Sequence, residues 1–209
     1  MSQYITHIKD DLITYWGTCL CLHIYDKLFL PINRKANLPD TWINIFKFVL
    51  FNQFFVTFPV FYLLSFKDVY EGDGLLELNN LYKFPLVLVF HEFMFFHLHY
   101  ALHTYELFRQ VHYIHHRWKN PIAISTIYTH PLEQLFVNVL PILISGLVCN
   151  LNFVSMRAWH IFSILNSLIL AHGGYKFGND FSFHDKHHTK IKYNYGTIGL
   201  FDKLYGTYF

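Results

Sequence analysis

Charged side chains are what this sequence has least of. They make up 14% of its 209 residues, whereas an average soluble domain has about 25%. Hydrophobic residues reach 53% and aromatic residues 20%. The net charge is only +2, and lysine and arginine form no basic cluster of the kind that binds nucleic acid. This composition excludes a nucleic-acid-binding protein and predicts a membrane protein.

Cysteine pairs and nucleotide-binding glycine motifs are also missing. Cys19, Cys21 and Cys149 form no C-x-x-C pair, so we expect small buried hydrophobic side chains rather than disulfides or zinc ligands. No G-x-G-x-x-G fingerprint of a flavin or nicotinamide site is present. The first residues do not resemble a cleavable signal peptide, because two aspartates follow the first lysine. If the protein has a redox function, we therefore expect another protein to supply its electrons.

Long apolar stretches predict membrane-spanning helices, each of which needs about 20 mostly apolar residues. The candidates are residues 42–66, 84–103, 132–151 and 153–171. The last two are separated only by Asn152 and predict a tight helical hairpin. Residues 12–30 carry His23, Asp26 and Lys27, which leaves open whether this stretch spans the membrane or lies at its interface.

The predicted fold is an all-α polytopic membrane bundle with about four transmembrane helices and a histidine-rich, metal-binding cytoplasmic cap. Residues 1–83 are expected to supply N-terminal membrane-anchoring helices, and residues 84–209 the histidine-bearing domain of the same structural unit. By the positive-inside rule, the basic segments, which carry the histidine clusters, are expected to face the cytoplasm. Residues 109–119 and 176–203 are basic, as are Arg34 and Lys35, whereas the loop 67–83 is acidic.

Histidine is the residue in excess, with 15 copies against 14 of Asp plus Glu. Three clusters contain eight of them: His99 and His103; His112, His115 and His116; His184, His187 and His188. Residues three and four apart share a helix face, so each cluster presents imidazoles to one point, as in zinc-protease helices. Eight imidazoles exceed the four ligands of one zinc ion and predict two metal ions.

The residues alone leave the metal and its use open. Imidazole suits zinc, copper, iron and nickel. A two-metal site at a membrane surface fits dioxygen activation beside a lipid, and it also fits metal storage or transport. Transport would need polar residues along several spans, whereas these histidines gather at one end. A membrane scaffold without catalysis is a further alternative, against which the intact clusters argue.

The order of the three clusters resembles the fatty acid hydroxylase and sterol desaturase superfamily. Other matching elements are EFMFFHLHYALH from Glu92, Y-x-H-P-L-E from Tyr128, HGGY from His172, NYG from Asn194 and FDKLYGT from Phe201. Together they make residues 84–209 similar to a fatty acid hydroxylase-type domain. His97 and Tyr100 depart from it, because the family usually has Trp and Arg at these positions.

The resemblance implies a membrane-bound, non-haem di-iron oxidoreductase that hydroxylates or desaturates a lipid with dioxygen. The sterol-type elements favour a sterol, and fatty acid hydroxylation is the alternative. No catalytic residue apart from the metal ligands is implied. The implied ligands of the two iron ions are His99, His103, His112, His115, His116, His172, His184, His187 and His188. An external donor, either a b-type cytochrome or a reductase, would supply electrons at the cytoplasmic face of the endoplasmic reticulum.

Four further residues are expected to support the ligands. Glu133 would hold a ligand imidazole through a carboxylate–histidine contact, and His130 either does the same or is an ordinary loop histidine. Asn194 and Asp202 are expected to fix the tail over the site through side-chain hydrogen bonds. His91, two turns before His99, is expected to be a polar lining group.

Overall fold

A computed structural model describes residues 2–29, 38–65, 82–172 and 183–209, and it contains no strand within them. The longer helices are α1 (Ser2–Phe29), α2 (Trp42–Phe51, continued by Asn52–Thr57 and Phe58–Ser65), α3 (Phe84–Thr104), α4 (Glu106–His116), α5 (Pro131–Val148) and α6 (Phe153–Ala171). Two short helices follow, α7 (Phe183–Thr189) and α8 (Leu200–Tyr205). Arg34, Lys35 and the segments 67–81 and 173–182 lie outside the described residues.

Four helices are long and apolar enough to cross a membrane, and the chain is an integral membrane protein. They are Trp42–Leu63, Phe84–Thr104, Pro131–Val148 and Phe153–Ala171. The predicted all-α bundle and its four spans are thereby confirmed, with ends that differ by at most three residues. Helix α1 is not among the four. It packs along α6, where Asp10 forms an ion pair with Arg157 at 2.6 Å.

The predicted hairpin between α5 and α6 is confirmed. Asn150 has a φ of 50°, which turns the chain, and the Asn152 side chain accepts a hydrogen bond from the Ser155 N–H at 2.8 Å. That contact satisfies one of the free amides at the start of α6. Because the hairpin is tight, the start of α5 and the end of α6 lie at the same end of the bundle.

Three spans contain a six-residue π-helical segment: Asn52–Thr57 in α2, Gln134–Val139 in α5 and Asn166–Ala171 in α6. Such bulges occur frequently at functional sites. Each of these segments buries at least one amide side chain, namely Asn52, Gln53, Gln134 or Asn166. The Asn52 side chain donates to the Ile127 and Thr129 carbonyls at 2.8 Å, Gln53 Nε2 donates to Asp11 Oδ1 at 2.9 Å, and Gln134 Nε2 donates to the Thr57 hydroxyl at 3.1 Å. The bundle therefore has a polar lining near its histidine-bearing end.

The cysteine prediction holds for two residues of three. Cys19 and Cys149 are buried, whereas Cys21 is exposed. Two residues turn a helix by about 200°, so α1 cannot bury both Cys19 and Cys21 against the same neighbours. The expectation of a buried Cys21 was wrong for that reason.

Candidate metal centre

Nine histidines converge at one end of the bundle and form two adjoining groups. The first group consists of His99, His103, His112, His116 and His187, and the second of His115, His172, His184 and His188. Within each group the ligand nitrogens all lie within 4.8 Å of one another. The rings of His116 and His188, one from each group, have centroids 4.7 Å apart. All nine residues that the resemblance implied as ligands are thus brought together.

Helical spacing explains how the histidines divide between the groups. In α4, His112 and His116 are four residues apart and enter the first group, whereas His115 points to the second. In α7, His184 and His188 enter the second group, and His187 enters the first. Residues four apart lie one turn apart on the same face, so each helix supplies a pair to one group and a single imidazole to the other.

Hydrogen bonds to backbone carbonyls fix the tautomers of several imidazoles. Four Nδ1 atoms lie within hydrogen-bond distance of a backbone carbonyl oxygen. The pairs are His99 with Tyr195 at 2.6 Å, His187 with Tyr193 at 2.6 Å, His188 with Trp118 at 2.8 Å and His172 with Ser167 at 3.1 Å. A carbonyl oxygen only accepts, so Nδ1 carries the proton in each case. The Nε2 atom of each ring then presents a lone pair, which is the form a metal ion binds.

Close approaches between Nε2 atoms link the imidazoles of the first group, and two neutral rings with these tautomers cannot by themselves satisfy the contact between His99 and His112. His99 Nε2 lies 2.9 Å from His112 Nε2, and His187 Nε2 lies 2.9 Å from His103 Nε2 and 3.1 Å from His116 Nε2. His112 Nδ1 lies 2.8 Å from Glu133 Oε1, and it donates to that oxygen when Glu133 is ionised, which leaves His112 Nε2 unprotonated as well. Two facing lone pairs repel each other unless a shared cation lies between them. The donor set therefore fits metal ions.

An unpartnered nitrogen supports the same conclusion for the second group. His188 Nε2 is buried and has no hydrogen-bond partner among the described residues. Leaving such a polar atom unsatisfied costs about 1–3 kcal/mol. A bound cation would satisfy it.

Burial keeps these imidazoles neutral. Desolvation, followed by repulsion from neighbouring imidazoles, lowers the pKa of His115, His184 and His188 well below the usual 6.5. Burial likewise lowers the pKa of His116 and of His172 to about 4. Metal ions bind only deprotonated imidazole nitrogens, so the site is prepared for a metal at neutral pH.

Two of the expected supporting residues differ in what they contact. Glu133 is buried and its Oε1 accepts from His112 Nδ1 at 2.8 Å, the carboxylate–histidine contact that the sequence suggested. His130 instead begins α5, where its Nδ1 accepts from the Leu132 N–H at 3.2 Å. Within the described part of the chain, the hydrogen bond of His130 therefore goes to the backbone and not to an imidazole.

The C-terminal tail is held over the histidines by Asn194 and Asp202. The Asp202 carboxylate accepts from the Tyr195 and Gly196 N–H groups, each at 2.8 Å. Asn194, with a φ of 58°, donates to the Phe183 carbonyl at 3.0 Å and accepts from the Phe209 N–H at 2.8 Å. These contacts fix residues 193–195, whose carbonyls orient His99 and His187.

Glu92 is a structural residue whose role sequence reasoning missed. Its carboxylate is fully buried and accepts from the N–H groups of residues 197–200 at 2.7 to 3.2 Å, and from the Thr197 hydroxyl at 2.6 Å. A Cβ atom on Gly196 would lie 2.2 Å from Glu92 Oε1, so only glycine fits there. Glu92 lies seven residues before His99, on the same face of α3. A lone carboxylate in an apolar span was the available signal.

An inner cavity leads from the histidines into the bundle. At one end it is lined by clustered histidines, including His99, His115 and His172, and at the other by Asp11, Gln53 and His160. Its walls include Phe61, Phe95, Val137, Ile142 and Leu168, and His91 lines it as expected. The largely apolar walls suit a hydrocarbon segment beside the histidines.

Comparison with known proteins gives the class of this chain. The sequence model described as fatty acid hydroxylase matches residues 84–207, more than half of the chain, and the match includes all nine clustered histidines. The chain belongs to the fatty acid hydroxylase family, which confirms the resemblance.

Three relatives illustrate the range of the family. Human fatty acid hydroxylase domain-containing protein 2 is 33% identical over 166 residues, which cover 76% of this chain and 50% of that protein. Methylsterol monooxygenase 1 of Danio rerio is 28% identical over 230 residues, which cover 96% of this chain and 75% of that protein. A Delta(7)-sterol 5(6)-desaturase of Gibberella zeae is 30% identical over 143 residues, covering 66% and 40%. The chain spans about half the length of the human relative, and no solved structure gives a significant match.

Proposed function

We propose that this chain is a di-iron oxidoreductase that hydroxylates or desaturates a membrane lipid with dioxygen, and that the lipid is a sterol. One observation carries the proposal: two groups of neutral imidazoles converge at the end of a largely apolar cavity. The nine clustered histidines are the proposed ligands. Glu133, Asn194, Asp202 and Glu92 are proposed to hold them in place.

Iron is favoured over the other metals that imidazole binds. The relatives bear the names hydroxylase, monooxygenase and desaturase, all of which denote oxidation. Zinc has no redox chemistry, and imidazole is a good ligand for iron. When bound, an iron pair would supply dioxygen activation and the removal of hydrogen from an unactivated C–H bond. The protein would orient the imidazoles, exclude water and present one carbon.

A sterol is favoured as the substrate because alignments to methylsterol monooxygenases cover nearly the whole chain. The methylsterol monooxygenases of Danio rerio and Gallus gallus align over 96% and 93% of this chain. A fatty acid hydroxylase of Mycosarcoma maydis aligns over 57%. The largely apolar walls of the inner cavity suit a hydrocarbon segment of a sterol beside the histidines.

Electrons are proposed to come from a separate protein. Hydroxylation consumes one dioxygen, two electrons and two protons and yields the alcohol and water; desaturation consumes the same and yields the alkene and two waters. We propose a b-type cytochrome or a reductase as the donor. It would dock on the basic surface of the α7 region, defined by Lys186, Lys190 and Lys192. The positive-inside rule places this surface in the cytoplasm, and the sterol relatives suggest the endoplasmic reticulum.

Sterol turnover tests the proposal directly. The purified chain in lipid nanodiscs, loaded with ferrous iron, would be supplied with a sterol mixture, a reduced b-type cytochrome and ¹⁸O₂. We expect an oxidised sterol by mass spectrometry; ¹⁸O in the sterol indicates hydroxylation, and its absence from a dehydrogenated product indicates desaturation. His103→Ala should remove the product, whereas His97→Ala, on the same helix but outside both groups, should retain it. Unchanged sterols with the iron-loaded protein would refute sterol oxidation.

A further inference from the structure

A second cavity opens at the side of the bundle, between α1 and α2. This outer groove is lined by Trp16, Cys19, Leu20, Phe46 and Ile122, and it includes the exposed polar side chains of His23 and Lys27. The Leu20 side chain is 60% exposed, so the groove reaches the surface of the described chain. Apolar walls with ionisable groups at an exposed margin suit an amphipathic lipid at a membrane interface, where tryptophan is also common.

The outer groove shares a wall with the inner cavity. Trp16 lines the groove and Gln53 lines the cavity, and the Trp16 Nε1–H donates to Gln53 Oε1 at 2.9 Å. Tyr15 lines the cavity and Ile124 lines the groove, and the Tyr15 hydroxyl donates to the Ile124 carbonyl at 2.9 Å. Each hydrogen bond joins a residue of one cavity to a residue of the other. The two spaces are therefore neighbours that these two contacts hold apart.

We propose that the outer groove is a sterol-binding site from which the substrate passes into the inner cavity, with Tyr15 and Trp16 as positioning residues at the passage. The inference rests on the proposed function, because it takes the inner cavity as the place of oxidation. A sterol fits the groove because its apolar body can contact Cys19, Phe46 and Ile122 while its hydroxyl bonds at the polar margin. Adjacency to the inner cavity favours the substrate over a bulk phospholipid.

The groove also lies where substrate choice can vary within the family. Tyr15, Trp16 and Gln53 precede residues 84–207, which the family model matches. They fall in the part of the chain that the methylsterol monooxygenase alignments include, since one of these covers 99% of the chain. A site built by α1 and α2 can therefore differ between relatives that share the histidine groups.

Photolabelling in nanodiscs tests this proposal. The probe is a sterol with a diazirine on its rings and an alkyne on its side chain, and labelled peptides are identified by mass spectrometry. We expect labels in residues 16–27 or 42–46 and in cavity peptides such as 133–142, both suppressed by excess unlabelled sterol. Leu20→Trp should fill the groove and reduce both signals at least fivefold. Cys21→Trp, at the neighbouring exposed position, is the matched control and should change neither.

A second variant tests the wall between the two cavities. Trp16→Phe keeps an aromatic ring against Phe46 but removes the hydrogen bond to Gln53, so we expect the ratio of cavity to groove labelling to rise about fivefold. Cavity labelling that persists in Leu20→Trp would overturn the proposal, as would groove labels that excess phospholipid suppresses but sterol does not. If wild-type protein oxidises sterols under either result, only the passage is wrong. Absence of both turnover and bound iron would instead reject the proposed function.

Discussion

Buried histidines occur in two regions of this bundle, and the two regions treat them differently. At the capped end, where the tail covers the histidines, nine imidazoles bring their ring nitrogens together in two groups. Deeper in the bundle, His160 Nε2 lies 3.4 Å from Asp11 Oδ2, and His7 packs against the rings of Phe61 and Phe153 at 5.3 Å. Both sets are at least nine-tenths buried, apart from the less buried His103 and His116.

The two regions differ in what lies opposite the Nε2 atoms of their rings. Carbonyls and Glu133 fix Nδ1 at the capped end, which leaves the facing Nε2 lone pairs of His99 and His112 without a proton between them. In the deeper region the Asp11 carboxylate faces His160 Nε2, and no group of converging ring nitrogens forms there among the described residues. Burial of histidine alone therefore does not define a metal site; fixed tautomers and convergent lone pairs do.

The largest effect is expected from the removal of one histidine at the capped end. His187→Ala removes the nitrogen that faces both His103 and His116, and we expect about one metal ion fewer per chain and activity at background. His160→Ala is the matched control in the deeper region and should keep both metals and most activity. Elemental analysis with a turnover assay measures the difference. Equal metal contents in the two variants would show that the two regions do not differ in metal binding.

The next effect concerns the tail that orients His99 and His187. Glu92→Ala leaves the four backbone N–H groups of residues 197–200 without their acceptor. We expect the free energy of unfolding to fall by about 3–5 kcal/mol. Thermal unfolding in mild detergent measures it. Glu106→Ala, whose side chain is 82% exposed, is the control and should stay near the wild type. An unchanged midpoint for Glu92→Ala would mean that the tail is held by other contacts.

A smaller effect should follow from loosening one imidazole without removing it. Glu133→Gln weakens the acceptor for His112 Nδ1, and we expect metal affinity to fall about 10- to 100-fold. Competition with a chelator measures the affinity. His130→Gln is the neighbouring control, because His130 Nδ1 contacts the Leu132 backbone. Affinity losses of the same size for both variants would contradict the assigned contact.

The smallest effect lies at the surface. Replacing Lys186, Lys190 and Lys192 by Glu should slow electron delivery by about tenfold at low salt, because charge complementarity acts mainly on the association rate. Metal content should not change. Stopped-flow reduction by a b-type cytochrome measures the rate, and a salt titration should narrow the gap between the variant and wild type. A rate unaffected by the substitutions would move the docking surface elsewhere.

Local patterns in the sequence predicted much of this architecture. Apolar runs located the four spans, and spacings of three and four located the histidine clusters, because both signals act within one helix. Helical spacing pairs His112 with His116 and His184 with His188, but which pairs share a group was not predictable, since it depends on how α3, α4, α6 and α7 meet. The same holds for the tethers: Tyr195 lies 96 residues from His99, and Thr197 lies 105 residues from Glu92. His130 and Cys21 were harder still, because capping and helix rotation decide their neighbours.

Metal content per chain is the measurement that tests the central claim most directly. The chain would be expressed with ample iron, purified in mild detergent and analysed for all first-row transition metals, with His160→Ala and His187→Ala in parallel. We predict about two iron ions per wild-type chain, retained in His160→Ala and reduced in His187→Ala. A well-folded wild-type chain that binds no metal, even after reloading with ferrous iron, would contradict the account.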